Sequence, residues 1–226
     1  MSMTKEMTSG KPYKLILSFA IPLILGNVFQ QLYNMVDTVI VGKFVGVNAL
    51  AGVGSTGAIN FLVIGFALGI CSGFSIMIAQ RFGAGDYSGM RKFIANSIYL
   101  CIAVAVILTA VTMLLTKPIL TVMNTPKEIY DYAYNYIIII FAGISATMFY
   151  NILSGILRAV GDSRTPLIFL GVSSVLNVGL DLLCIIVFKM GVAGAGIATV
   201  ISQAISAFLC LISVSYTHLT LPTIRL

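Results

Sequence analysis

All-α and polytopic in a lipid bilayer is the fold class this sequence predicts, and three observations predict it. Of its 226 residues, 59% are hydrophobic and only 9% are charged, against about 25% charged in a soluble domain. A surface of that composition needs lipid around it. The apolar residues fall into six long runs, separated by short linkers rich in Gly, Pro, Asn and charge. None of the runs alternates with period two, as the strands of a membrane barrel do. Each run must therefore satisfy its own backbone in lipid as a helix.

The runs are, in order, Leu15–Val41, Ala49–Ala79, Phe93–Thr116, Tyr132–Leu157, Pro166–Phe188 and Val192–Val214. Residues 1–14 form a polar leader, expected to be cytoplasmic, because the span that follows is too long for a signal-peptide core. The first run has 27 residues, about 40 Å as straight helix against a hydrocarbon core of about 30 Å. Tilt or a kink must absorb the excess, and Pro22 marks the kink. In the second run Gly65, Gly69 and Gly73 recur every fourth residue, a small-residue pattern for close helix approach. The same run holds Gly52-Val53-Gly54-Ser55-Thr56-Gly57, which matches G-x-G-x-x-G. It follows no strand, so it reads as helix packing and not as a dinucleotide turn. Asp37, Lys43 and Gly46 have a faint echo in Asp181, Lys189 and Gly191. Residues 15–214 thus form one six-helix lobe. Residues 215–226 leave the apolar pattern, hold the only histidine, His218, and resemble translated adapter read-through. They are expected to be a non-native tail.

The net charge of +6 does not point to nucleic acid, since the basic residues sit in gaps between apolar runs, where they act as topology signals. With the N-terminus inside, the inner face holds Lys5, Lys11, Lys14, Arg81, Arg91, Lys92, Arg158 and Arg164, and the outer face only Lys43, Lys117, Lys127 and Lys189. The excess places both ends in the cytoplasm. The Arg–Asp turns at Arg81–Asp86 and Arg158–Arg164 read as staples between helix ends. Cys71, Cys101, Cys184 and Cys210 all lie inside runs and read as buried thiols. No His/Cys metal site, cofactor motif or nucleophile–base set is present, so an enzyme is not expected.

Two of the seven acidic residues, Asp37 and Asp181, lie well inside apolar runs. A charge at the bilayer centre costs at least about 2.5 kcal/mol, so such groups face a protein interior or a wet pathway. Both sit on polar helix faces. Asn27, Gln30, Asn34 and Asp37 form one stripe, Ser173 or Ser174, Asn177 and Asp181 a second, and Thr199, Gln203 and Ser206 a third. Counting residues from the run ends puts Asp37 about 6 Å, and Asp181 and Thr199 about 10 Å, inside the same membrane face. Two carboxylates, an amide and a hydroxyl at one depth would supply hard oxygen ligands for a proton or Na+. Two close carboxylates also resist ionising together.

Phe19-Ala20-Ile21-Pro22, Gln31-Leu32-Tyr33-Asn34-Met35-Val36-Asp37, Ala79-Gln80-Arg81-Phe82-Gly83-Ala84-Gly85 and Gly155-Ile156-Leu157-Arg158-Ala159-Val160-Gly161-Asp162-Ser163 together resemble the multidrug and toxic compound extrusion family, prokaryotic branch, from about Lys11 to Val214. The resemblance implies two lobes of six helices, of which this chain holds the N-terminal one and lacks the C-terminal partner lobe. It implies a coupling site for H+ or Na+ at Asp37, Asn177, Asp181 and Thr199, a kinking proline at Pro22, and Asn27, Gln30, Asn34 and Gln203 along the cavity. It further implies export of cationic, amphipathic small molecules across the inner (plasma) membrane. A lipid-linked precursor flippase of the same superfamily would need basic residues within the cavity, and no run carries a mid-membrane Lys or Arg. A channel or packing subunit without coupling would have no use for two membrane acids at one depth.

Overall fold

The structure is a computed structural model that describes residues 12–220. The first eleven residues of the leader, and residues 221–226 of the tail, lie outside the described residues. The order is α1 (Pro12–Phe44), α2 (Val47–Ser55), α3 (Gly57–Gly83), α4 (Tyr87–Val122), α5 (Lys127–Ala142), α6 (Ile144–Ala159), α7 (Arg164–Leu182) with a π turn (Leu183–Val187), and α8 (Val192–Thr220). No strand occurs among the described residues. Five helices are long and apolar enough to cross a bilayer, and α5 with α6, bent by 45°, forms the sixth span. The all-α polytopic fold is therefore present.

Three features depart from six uniform rods. The second run splits at Thr56, because Ser55 Oγ donates to the Gly52 carbonyl and Thr56 Oγ1 to the Val53 carbonyl. Such short hydroxyl bonds compete with helix continuation, and Gly54 and Gly57 flank the break. The fourth run bends at Gly143, whose missing Cβ leaves room for Val200 of α8. The fifth run widens into the π turn, closed by Phe188 N–H to the Leu183 carbonyl at 3.0 Å. Helix α1 runs unbroken through Pro22. Helix α8 continues to Thr220, beyond the expected boundary at Val214.

The packing centre is α6, flanked by α3, α4 and α8. Ile152, Leu153, Ser154, Gly155, Ile156 and Leu157 are all buried, as befits a helix covered all round. Gly155 lets α3 approach through Ser75, and Gly52 lets α5 approach: a Cβ at Gly52 would lie 2.7 Å from Tyr132 Cβ. The G-x-G-x-x-G segment thus packs a helix through its first glycine. Gly65, Gly69 and Gly73 do not pack, for a Cβ there would meet nothing within 4 Å. Periodicity placed these three on one face, but that face turns away from the lobe's other helices.

The two ends of the lobe are built differently. At one end, Gly85 and Gly161 take positive φ (72° and 90°) and each is followed by a capping aspartate. Asp86 accepts from Gly89 N–H at 2.8 Å and pairs with Arg81 at 2.8 Å. Asp162 accepts from Arg164 N–H, Thr165 N–H and Thr165 Oγ1. The expected Arg–Asp staple therefore forms at Arg81–Asp86, whereas Asp162 caps α7 and leaves Arg158 aside. At the other end, the turns after α1 and α7 abut, with a Cβ at Gly191 falling 3.8 Å from Val45 Cγ1. The echo between Asp37–Gly46 and Asp181–Gly191 thus has a spatial counterpart.

Candidate ion-coupling site

Helix α7 packs between α1 and α8. That placement turns the three polar stripes toward one another near the Lys43 end. Asp181 and Asn177 are 0% exposed, Asp37 6% and Gln203 7%. The two carboxyls are direct neighbours. Tyr33 of α1 lies close to Thr199, and the buried Tyr33 and Tyr136 of α5 are both within electrostatic range of Asp37 and Asp181. Sequence-predicted Asp37 and Asp181 thus meet, with Thr199 close to Tyr33 and Asn177 buried one helical turn before Asp181.

The cluster is short of hydrogen bonds. Tyr33 Oη, Asp37 Oδ1, both side-chain polar atoms of Asn177, both oxygens of Asp181, Thr199 Oγ1 and Gln203 Oε1 are buried without a partner. A buried polar atom left without a partner costs roughly 1–3 kcal/mol. Seven of the eight are oxygens, the donor set that hard cations prefer. Among the described residues no three His, Cys, Asp or Glu side chains come together. The amide, hydroxyl and phenol groups must therefore complete any coordination that the two carboxylates begin.

The first stripe is divided. Asp37 enters the cluster, but Asn34 is exposed and its Nδ2 reaches only Gln31 Oε1 at 3.5 Å. Asn27 and Gln30 line a different cavity, of about 490 Å³, together with Pro22, at the Arg158 end. Ser173 and Ser206 are bound to backbone carbonyls, at Ser202 and Phe169, and act as α7–α8 ties. Sequence reasoning missed Tyr33 and Tyr136. Tyr33 had a signal, since it lies one helical turn before Asp37 and shares its face. Tyr136 had none beyond being aromatic.

A family model described as MatE matches residues 22–183. The chain is 33% identical over 201 residues to the "Probable multidrug resistance protein YpnP" of Bacillus subtilis (strain 168), covering 89% of this chain and 45% of that protein. Solved structures of "MATE in the bent conformation" and "MATE in the straight conformation" match with TM-scores of 0.85 and 0.82, each at 29% identity and covering 93% of this chain and 46% of theirs. The chain thus spans about half the length of the proteins it matches.

Proposed function

The chain belongs to the MatE family, and from that premise we propose that it is the ion-coupling lobe of a multi-pass secondary transporter. The transporter would export cationic, amphipathic small molecules in exchange for protons or sodium, with the N-terminus in the cytoplasm of the inner membrane. The observation that carries this reading is the buried, bond-poor oxygen cluster around Asp37 and Asp181. Two neighbouring carboxylates out of water are tolerable only when a proton or a cation offsets one charge. Binding at Asp37, Asn177, Asp181 and Thr199, with Tyr33 beside them, neutralises the cluster and lets α1, α7 and α8 stay close. Release of the ion restores the repulsion and drives α1 away from α7. Pro22, which removes one i→i−4 bond, is where α1 would bend. Such rocking works against a second bundle, and the C-terminal partner lobe would be that bundle.

No Lys or Arg stands among the groups that act on the two acids, so the cluster is unsuited to a pyrophosphate-bearing flippase substrate. A channel or packing subunit would not need the acids at all. The test is efflux of a cationic dye from vesicles holding the full-length transporter, driven by an imposed H+ or Na+ gradient. Asp37→Asn and Asp181→Asn each abolish gradient-driven efflux while expression stays normal. Wild-type efflux in either variant would sink the coupling role.

A further inference from the structure

We propose that the cavity between α1, α3, α6 and α7 binds the head of an amphiphile of net negative charge, a phosphate or carboxylate on an apolar body with no ammonium to neutralise it, with Arg158 as its counter-charge. The cavity has a volume of about 490 Å³, within the range of small-molecule sites. Arg158 lines it, half-buried at the end of α6. Among the described residues Arg158 has no hydrogen bond and no ion pair. Its neighbour in sequence, Asp162, is not available, because both its oxygens are held by Arg164 and Thr165. The corresponding arginine at the α3–α4 turn, Arg81, is paired with Asp86.

None of the Arg158 guanidinium nitrogens is buried, and a planar fork of donors fits a carboxylate or phosphate best. No Asp or Glu lines the cavity, so nothing there attracts a cation. Ser72 adds a second uncommitted donor to the lining, while Leu23, Leu68, Ile76 and Leu167 supply apolar wall. A bare inorganic anion would leave that wall unused, whereas an acyl or aryl body fills it. The site is independent of the ion-coupling reading, since neither Asp37 nor Asp181 touches the cavity.

Native mass spectrometry of the 226-residue chain in nonionic detergent tests the proposal, with dioleoylphosphatidylglycerol, oleate and the zwitterionic dioleoylphosphatidylcholine as probes. One molecule of phosphatidylglycerol or oleate binds per chain, and phosphatidylcholine binds about tenfold more weakly, the loss expected for one charged hydrogen-bonding partner. Binding of phosphatidylglycerol alone assigns a membrane lipid, and binding of oleate alone assigns a free carboxylate amphiphile. Arg158→Gln loses the anion preference and Arg158→Lys keeps part of it. Ser72→Trp, which keeps the charge but fills the cavity, loses binding of both anions. Equal binding of the zwitterionic and anionic probes, or wild-type binding by Arg158→Gln with unchanged circular dichroism, overturns the assignment. If Arg158→Gln does not fold, Ser72→Trp decides: retained binding overturns the site.

Discussion

The two ends of this lobe treat their carboxylates in opposite ways. At the Arg158 end the turn aspartates are fully used: Asp86 and Asp162 cap the next helices, and Gly155 brings α6 hard against α3. At the Lys43 end, Asp37, Asn177, Asp181 and Gln203 are buried, unlike the exposed Asp86, yet they and Thr199 keep polar atoms without partners. The difference teaches where stability resides and where it has been given up. Packing and caps hold the first end, whereas the second keeps buried polar atoms without partners.

The comparison breaks most readily at the packed end. Gly155→Val forces α6 away from Ser75 and destabilises the chain by about 1–3 kcal/mol, the usual penalty for overpacking a core. An SDS-unfolding titration in mixed micelles measures it, with Gly65→Val, on the open face, as the near-neutral control. Equal losses in both would mean that α3 meets α6 through a different face.

A smaller effect of opposite sign sharpens the contrast. Asn177→Leu keeps the volume while removing two of the unpartnered atoms. In ion-free buffer it raises stability in the same titration by about 1 kcal/mol. A loss would show that Asn177 ties the helices together, as plain interhelical glue would.

The smallest effect concerns Asp86. The Gly89 N–H, then Arg81 and Lys92, hold its carboxyl below the usual aspartate range. A depressed value in the folded state means the cap contributes above the unfolded-state range and is lost as pH falls through the folded value. Asp86→Ala therefore speeds amide exchange at the start of α4 near neutral pH, and the difference from wild type vanishes in acid. A difference that persists unchanged at low pH would remove the carboxylate from the cap.

Much of this was legible in the residues. Lipid admits only helices whose backbones bond internally, so apolar length alone placed the spans to within a few residues. Cost alone marked Asp37 and Asp181, because a carboxylate in lipid has no cheap reason to exist. Helical spacing also put Asn177 on the face of Asp181 and Thr199 on that of Gln203.

Spacing says which residues share a face but not which neighbour that face meets. Only the packed structure decided that Asp37 and Tyr33 turn toward α7 and α8 while Asn27 and Gln30 line the Arg158 cavity. It decided that Gly52, Gly143 and Gly155 make close approaches and that the regular Gly65–Gly73 series does not. It placed Tyr136 within electrostatic range of the two acids, and left Arg158 without the carboxylate that its own turn contains. Helix formation is local and settled by backbone hydrogen bonding within each run. Helix pairing depends on side-chain volumes many residues apart, and no local pattern encodes those contacts.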